Sequence, residues 1–416
     1  MNKQKHSDIP EVDIVLWGAA GFVGRLLAAW LWPKYGASGD VRFALGGRDK
    51  PALEAVHRDL KADDRLPLIV GNALDETFIN ALTKKARLVV STVGPYAKYG
   101  STLVAACAAN GTDYCDLSGE TQWMHRMINA HQNEAEASGA RIVHSCGFDS
   151  IPSDLGVLFL QTLAQKRFGH PMTNVKLRVK SLRGGASGGT VASMLNVIEE
   201  IRKDPAVAKI AKNPYALAPE GMRSGVRQPN VSTFEYDKDI GNWVAPFVMA
   251  AVNTRVVHRS NALMGYAWGK AFTYDEAMMM GDGLTGRIRA AAFAGAIGVF
   301  LLGGYFTPTR FLMKKTLLPK PGEGPSPEAR ESGFYKLHLI GKDAEGNEMR
   351  VTVKGDRDPG YGSTSKMLGE TAVCLLGETG KKDVNGGFWT PATAMGQKLI
   401  DRLTANAGLT FEAENK

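Results

Sequence analysis

Three glycines that follow an apolar run near the start of the chain constrain its fold more than any other feature. Residues 13–17 predict a strand, and an amphipathic stretch that predicts a helix begins among Gly18, Gly21 and Gly24. In such a unit the first glycine permits a tight turn, the second lets the backbone approach a pyrophosphate, and the third lets the helix lie close to the sheet. The pattern predicts a dinucleotide-binding turn, and an ordinary strand-to-helix turn is the alternative.

Short apolar runs alternate with helical stretches over the first 150 residues. The predicted strands are residues 13–17, 41–45, 67–70, 88–92, 114–117 and 141–145. This alternation is typical of βαβ units, in which parallel strands form one sheet with helices on both faces. We therefore predict an α/β fold with an N-terminal Rossmann-type, doubly wound parallel sheet at residues 12–150.

The pattern changes after residue 150, where a glycine-rich stretch at 184–190 and an alternating pair of runs at 334–340 and 348–354 follow. The paired runs predict a β-hairpin. We predict a second, α+β substrate domain at residues 151–360, and C-terminal helices within residues 361–416.

The residue after the second predicted strand selects the dinucleotide. That strand ends in "FALGGR", so Arg48 offers a cation to a 2′-phosphate, where NAD-binding proteins place an acidic residue against the ribose hydroxyls. Asp49 keeps NAD open as an alternative. We predict NADP in preference to NAD, and disfavour FAD. The predicted cofactor-binding residues are Gly18, Ala20, Gly21, Phe22, Val23, Gly24, Arg48, Ser91, Thr92 and Gly94.

Three residues are candidates for catalysis. Tyr96 follows the fourth strand in "STVGPYAKYG", at the sheet edge where open α/β sheets bind ligands, although simple loop packing is an equal alternative. Asp149 follows the sixth strand, and helix capping is its alternative role. Ser187 lies in "GASGG", which fits a turn that binds a phosphate or carbonyl and also the nucleophile elbow of a serine hydrolase. His258 or His338 would then be the hydrolase histidine.

Composition limits the remaining function classes. The formal charge of +8 is scattered rather than gathered in one basic run, so we expect no nucleic-acid partner. The four cysteines form no CxxC pair and the eight histidines have no ligand spacing, so we predict no metal. The polar N-terminus lacks a signal sequence, which indicates the cytoplasm. Arg255 and Arg259 lie four residues apart, and their helix face either is solvated or binds an acidic carrier protein or its phosphopantetheine arm.

Seventeen residues at 290–306 pass without a charge. As a helix they would span about 25 Å at 1.5 Å per residue, which is short of a hydrocarbon core of about 30 Å. Three interpretations stay open: a buried or substrate-lining helix, a helix that dips into a membrane, and a true span.

A series of motifs carries a family resemblance. In order they include "GAAGFVG", "ALGGR", "STVGPYAKYG", "DYCDLSGE", "HSCGFDSIPSDLG", "ASGGT", "DPGYGSTSKMLGE" and "PATAMG". Together they resemble the saccharopine dehydrogenase-like oxidoreductases, and within them the trans-acting enoyl reductase branch, over nearly the whole chain. The resemblance implies a nucleotide-binding domain, a substrate domain and a C-terminal helical return onto the first domain. The branch provides no catalytic signature that transfers residue by residue.

The same resemblance implies an NADP-dependent oxidoreductase that reduces a carbon–carbon double bond in a long-chain or polyketide-type acyl substrate. The alternatives are an imine or carbonyl reductase, a nucleotide-regulated lipid-binding protein without turnover, and a serine hydrolase that uses Ser187. The expected partners are a hydrophobic acyl substrate, an acyl carrier protein that delivers it, a membrane surface and a second copy of the chain. The expected location is the cytoplasm or the inner face of the membrane.

Overall fold

The computed structural model describes Ile9 and residues 11–184, 188–317 and 324–414. Ser187 therefore lies outside the described residues. The chain divides into two compact units, and both are discontinuous in sequence. Unit 1 comprises Met1–Phe148, Pro319–Ser326 and Gly360–Ala407, and unit 2 comprises Asp149–Leu318, Pro327–Pro359 and Gly408–Lys416.

The strands in chain order are β1 (Val12–Trp17), β2 (Phe43–Gly47), β3 (Leu68–Val70), β4 (Ala86–Ser91), β5 (Asp113–Asp116), β6 (Arg141–Val143), β7 (Asn174–Arg183), β8 (Glu235–Asp237), β9 (Asn242–Pro246), β10 (Thr273–Gly281), β11 (Phe334–Lys342), β12 (Glu348–Gly355), β13 (Gly387–Trp389) and β14 (Leu409–Ala413).

The helices are α1 (Phe22–Leu31), α2 (Lys50–Asp59), α3 (Glu76–Thr83), α4 (Tyr96–Tyr99), α5 (Ser101–Asn110), α6 (Thr121–Ser138), α7 (Ile151–Phe168), α8 (Gly188–Lys203), α9 (Pro205–Lys212), α10 (Ala250–Leu263), α11 (Gly283–Tyr305), α12 (Thr307–Leu317), α13 (Pro327–Glu331), α14 (Gly362–Val373), α15 (Pro391–Ala394) and α16 (Gly396–Asn406). A π-helical turn follows α1, and another follows α14.

Unit 1 is built on a seven-stranded parallel sheet with the order β13-β6-β5-β4-β1-β2-β3. All six residues of β1 are buried, because helices cover both faces of a sheet of this kind. The structure confirms the Rossmann-type fold and the six predicted strands. The seventh strand, β13, was not predicted. It pairs with β6 through Gly387↔Arg141, at the edge of the sheet.

The C-terminal helices return onto the first helix, as the family resemblance implies. Gly369 in α14 lies so close to α1 that a Cβ there would stand 2.9 Å from Trp30 Cδ1. The fully buried Glu370 carboxylate accepts hydrogen bonds from Trp30 Nε1 at 2.9 Å and from the Tyr35 hydroxyl at 2.8 Å. Arg402 Nε of α16 pairs with it at 2.8 Å. Burial and this carboxylate raise the pKa of Tyr35 to about 12.

Unit 2 contains a mixed seven-stranded sheet with the order β14-β12-β11-β7-β10-β9-β8. Strands β7 and β10 are parallel, and the remaining neighbours are antiparallel. The predicted hairpin is confirmed as β11 and β12, with Tyr335 opposite Gly355. Residues 361–416 contain the predicted helices and also two strands that were not predicted, β13 and β14, and β14 pairs with β12 of unit 2.

The uncharged segment forms most of α11, which is longer than predicted, with 23 residues. At 1.5 Å per residue it spans about 34 Å. Its mean hydropathy of 1.6 and its length are sufficient to cross a membrane, yet only 11% of the apolar window is buried. The interpretation as a buried helix is wrong, because only three of the 23 residues of α11 are buried, namely Gly286, Ala290 and Gly304.

Candidate functional site

The turn between β1 and α1 accepts only glycine at its first position. Gly18 has a φ of +93°, in the region that side chains disfavour. A Cβ there would stand 2.6 Å from Val93 Cγ2 and 2.8 Å from Thr92 Oγ1. Gly18 N donates to the Gly46 carbonyl of β2 at 2.9 Å. The turn is therefore closed tightly over the carboxyl ends of the central strands.

The third glycine sets the approach of α1 to this turn. A Cβ on Gly24 would lie 2.2 Å from the Gly18 carbonyl oxygen and 2.8 Å from Ala19 Cα, so any side chain would push the helix away. Gly21 is less restricted, with 3.2 Å between its Cβ position and the same oxygen. As the N-cap of α1 it has no side chain to cover the first helical N–H groups. A turn of this shape presents those groups to an anion.

The cofactor-selecting position lies at the same edge of the sheet. Strand β2 ends at Gly47 beside β1, and Arg48 follows with an exposed side chain. Arg48 makes no side-chain hydrogen bond or ion pair with the residues that the structure describes. Asp49 is instead the N-cap of α2, and its Oδ1 accepts a hydrogen bond from Ala52 N at 3.1 Å. This arrangement fits a 2′-phosphate held by Arg48.

The loop after β4 joins the predicted cofactor residues to the glycine turn. Thr92 N donates to the Trp17 carbonyl at 2.9 Å, and Thr92 Oγ1 donates to the Gly18 carbonyl at 3.2 Å. These bonds bring the loop of Ser91, Thr92 and Gly94 to the β1–α1 turn. The turn itself contains the other predicted residues, Ala20, Phe22 and Val23. We expect this loop to lie at the nicotinamide end, because parallel strands bind ligands at their carboxyl edge.

Tyr96 is buried beneath this loop. Its hydroxyl donates to the Ser91 carbonyl at 3.0 Å and accepts from Leu117 N at 3.2 Å. Its ring stacks on Trp123 with 5.4 Å between centroids. These contacts give Tyr96 a role in positioning the loop, while its catalytic role stays a prediction.

Glu120 is a residue of this site that sequence reasoning missed. It is fully buried, and its two oxygens accept from Tyr96 N at 2.8 Å and from Ala97 N at 3.0 Å, which caps the short helix α4. Glu120 ends the motif "DYCDLSGE", but its capping role depends on backbone groups more than 20 residues earlier in the chain. No local signal indicates that pairing.

A second buried carboxylate organises the ends of β5 and β6. Asp116 Oδ1 accepts from Ser145 N at 3.1 Å and Ser118 N at 2.9 Å. Asp116 Oδ2 accepts from Tyr114 at 3.0 Å and lies 2.7 Å from His144 Nδ1. Ser145 has a φ of +61°, a conformation that costs a non-glycine residue energy and that these hydrogen bonds stabilise. The pair of strand ends is therefore a rigid part of the carboxyl edge.

Comparison with known proteins decides the family. The model of the saccharopine dehydrogenase NADP-binding domain matches residues 14–143. A Mycobacterium tuberculosis relative named as a trans-acting enoyl reductase is 40% identical over 412 residues, which cover 97% of each chain. A trans-acting enoyl reductase of Mycobacterium ulcerans is 38% identical over 407 residues, which cover 94% of this chain and 96% of the relative. This chain belongs to the trans-acting enoyl reductase family.

The family is part of the saccharopine dehydrogenase-like oxidoreductases, and the chain is accordingly an NADP-dependent oxidoreductase. Saccharopine dehydrogenase from Saccharomyces cerevisiae has the same fold, with a TM-score of 0.54, 10% identity, and coverage of 97% of this chain and 100% of that one. The NADP prediction made from Arg48 agrees with the matched domain. The glycine turn and the exposed arginine are the residues that fit this cofactor.

In this enoyl reductase family member, Asp149 is the first residue of unit 2. It is half-buried and stands before Ser150, which is the N-cap of α7. Asp149 is therefore not the N-cap of that helix, and its catalytic role stays a prediction.

Just inside unit 2 lies a buried polar network that sequence reasoning did not find. Ser150 Oγ donates to Asn253 Oδ1 at 3.1 Å, and Asn253 Nδ2 donates to Glu276 Oε2 at 2.8 Å. The Tyr274 hydroxyl donates to Glu276 Oε1 at 2.6 Å. Burial raises the pKa of Glu276 to about 7, against the lowering effect of these donors.

Two surface predictions on α10 are wrong. Arg259 is 3% exposed and donates to the Leu217 carbonyl, while Arg255 Nη2 donates to the Ala211 carbonyl at 2.6 Å. This face of α10 is therefore neither solvated nor a docking surface for an acidic carrier.

The histidines nominated for a serine hydrolase are poor general bases. Burial lowers the pKa of His258 to about 3, so its imidazole binds a proton only weakly. His338 lies on β11 and its Nδ1 pairs with the Glu414 carboxylate, while burial lowers its pKa.

Proposed function

We propose that the chain reduces the carbon–carbon double bond of a 2-enoyl acyl thioester with a long-chain or polyketide-type acyl group. The observation that carries this proposal is the near full-length similarity to trans-acting enoyl reductases, combined with a cofactor turn that keeps every required glycine. Bound NADPH supplies the hydride that the β-carbon of such a substrate accepts.

The residues of unit 1 have separate tasks in this reaction. The N–H groups in the first turn of α1 hold the pyrophosphate, and Gly18 and Gly21 allow it to approach the backbone closely. Arg48 binds the 2′-phosphate and so selects NADPH over NADH. The loop at Ser91 and Thr92 borders the nicotinamide end. Because Tyr96 hydrogen-bonds this loop from below, the loop keeps one geometry when substrate arrives.

Reduction of an enoyl group also requires stabilisation of the enolate oxygen and a proton for the α-carbon. The glycine-rich stretch at 184–190 is our candidate for the first task, since a turn before a helix offers N–H donors. Asp149 is our candidate for the proton, because it follows the sixth strand of the cofactor sheet in sequence. Both assignments rest on sequence position.

We also propose that an acyl carrier protein delivers the substrate. The net charge of +8 favours association with an acidic carrier. Raising the salt concentration should then slow turnover of the carrier-bound substrate and leave that of a free thioester unchanged.

The direct test of the proposed function follows the loss of NADPH fluorescence on addition of a 2-enoyl thioester. We expect turnover, and mass spectrometry should find a product two hydrogen masses heavier. Turnover of 2-oxo acids with ammonium instead would identify an imine reductase. Binding of NADPH without turnover of any acyl substrate would identify a nucleotide-regulated binding protein.

A further inference from the structure

We propose that the surface of α11 and α12, which we call the α11–α12 hairpin, binds an anionic lipid bilayer. This inference does not rest on the proposed enoyl reduction. It rests on the exposure of the hairpin, on the placement of its charges and on its length.

The exposed apolar residues of α11 share one face of the helix. Leu284 is 71% exposed, Ile288 60%, Val299 72% and Leu302 63%. With 3.6 residues per turn these four positions fall within about 60° of one another. Phe306, Phe311 and Leu312 add further exposed apolar area at the end of α11 and in α12. Contiguous apolar surface of this extent is typical of protein or membrane binding sites.

The charge pattern distinguishes a membrane from a protein partner. Arg310 is the sole charged residue between Arg289 and Lys314 in the sequence. Its side chain is directed inward, since it is 4% exposed and donates to the Gly304 carbonyl at 3.1 Å, with Glu199 at 3.6 Å. The exposed surface is thereby left without charge. A protein interface normally has a polar rim, whereas the bilayer interior disfavours any charge.

Basic side chains flank the apolar face of the hairpin, where lipid headgroups would lie. Arg287 and Arg289 are exposed, and each lies about 100° away from the apolar face, one on either side. Lys315 is exposed in the last turn of α12. Basic residues that flank an apolar helix face favour anionic lipids. Asp282 at the start of α11 is the acidic residue nearest to Arg287 and Arg289 in the sequence.

The topology favours binding to one leaflet over spanning. Strand β10 precedes α11 and strand β11 follows α12, and both belong to the same sheet. Helix α12 has 11 residues, or about 16 Å at 1.5 Å per residue, which is too short to cross about 30 Å of hydrocarbon. A Cβ on Gly303 would lie 3.1 Å from Met313 Sδ, so α12 folds back along α11. The hairpin therefore enters and leaves from one side.

The test is co-sedimentation of the full chain with vesicles. We expect binding to vesicles of phosphatidylcholine and phosphatidylglycerol, and weaker binding to phosphatidylcholine alone. The double substitution Leu302→Glu with Phe311→Glu should reduce the partition coefficient at least about tenfold, because it places two charges on the apolar surface. The matched control is Leu74→Glu with Tyr236→Glu. It changes the net charge by the same amount at exposed apolar residues outside the hairpin, and it should retain binding.

Several results would overturn the proposal. An equal loss in both double variants would mean that net charge alone governs binding. Absence of wild-type binding at low salt would exclude a lipid surface. A further contradicting result is a wild type that fails to bind vesicles and forms a dimer in sedimentation velocity, while Leu302→Glu with Phe311→Glu is a monomer. That result would assign the surface to a second copy of the chain.

A third variant reports insertion directly. Phe306→Trp places a fluorophore at the junction of α11 and α12, and brominated lipids should quench its extra emission. The seven native tryptophans, among them Trp243 near Arg287, provide the background signal of the parent protein. Unchanged quenching relative to the parent, despite sedimentation with vesicles, would contradict insertion of the hairpin.

Discussion

Two turns in this molecule use glycines to bring a helix equally close to the end of a strand, and they serve different purposes. In the β1–α1 turn, a Cβ on Gly24 would lie 2.2 Å from the Gly18 carbonyl oxygen. In the β10–α11 turn, a Cβ on Gly286 would lie 2.2 Å from the Gly281 carbonyl oxygen. Both turns begin with a glycine of positive φ, at +93° and +104°. The second turn even has the spacing GxGxxG, through Gly283.

Their surroundings differ. Strand β1 lies between two parallel neighbours, so other strand ends bring Thr92 and Arg48 to the first turn. Strand β10 has an antiparallel neighbour in β9, and Asp282 places a carboxylate beside the start of α11. A carboxylate there repels a phosphate. Glycine spacing thus determines how closely a helix approaches a strand, and the neighbouring strands determine whether the turn can bind a dinucleotide.

The largest effect should come from Gly24→Ala. The added Cβ collides with backbone, which forces α1 away from the turn at a cost of about 1–3 kcal/mol in unfolding free energy. We expect NADPH affinity, from fluorescence titration, to fall at least about 100-fold, since a displacement of 1 Å has effects of this size. Gly286→Ala is the matched control, with the same collision in the other turn. It should lower the melting temperature and leave NADPH affinity within about twofold.

Next in size is the pH dependence contributed by Glu276 on β10. Its pKa rises from 4.5 to about 7 in the folded chain, so the folded state binds this proton more tightly than the unfolded state. Stability should therefore decrease as pH rises from 4.5 to 7, by up to about 3 kcal/mol. Thermal unfolding of Glu276→Gln should lose this dependence, and an unchanged profile would show that another group is responsible.

Asp13, at the start of β1, should give a pH dependence of stability opposite to that of Glu276. Hydrogen bonds from Arg42 lower the pKa of Asp13 to about 2. Its contribution is present at neutral pH and is lost as pH falls from 3.8 to about 2, the opposite sign to Glu276. In thermal unfolding, Asp13→Asn should reduce the pH dependence of stability below about pH 4 and leave the dependence near neutral pH unchanged.

A smaller effect is expected from Arg48→Ala. Loss of a charge-assisted contact to the 2′-phosphate should weaken NADPH binding about 10- to 100-fold and leave NADH binding unchanged. Arg58→Ala removes another exposed arginine near the end of α2 and is the control. Equal losses for NADPH and NADH would show that Arg48 does not bind that phosphate.

The smallest effect belongs to Asp49→Ala. Removal of the N-cap of α2 should cost about 1 kcal/mol of stability. The ratio of NADPH to NADH affinity should stay constant, because the carboxylate serves the helix. A shift of this ratio toward NADPH would instead place Asp49 against the ribose.

The parallel sheet was largely predictable because its strands are buried on both faces and form continuous apolar runs. Strand β13 was not, since it has three residues and its partner β6 lies 246 residues earlier. The exposure of α11 also escaped prediction. After Arg289 its residues are apolar all round, and without a polar face a sequence does not show which side meets solvent.

The site was predictable where function is local. The glycine turn follows from residue type, because its glycines act through the backbone at their own positions. The contact of Arg48 with the 2′-phosphate stays a prediction. The choice between Arg48 and Asp49 required the cap geometry of α2. Glu120, Asp116 and Glu276 bind groups distant in sequence, which only the folded chain brings together.

The discontinuity of unit 1 has a consequence for biosynthesis. Glu370 and Arg402 support α1, whose first turn is the predicted pyrophosphate site, so residues near both ends of unit 1 must be present together. During translation at about 5–20 residues per second, roughly 10 to 50 seconds separate the emergence of Phe148 from that of Ala407. Through that interval the nascent chain carries an incomplete nucleotide site. NADP is therefore expected to stabilise the finished protein and to have little effect on the chain while it is still on the ribosome.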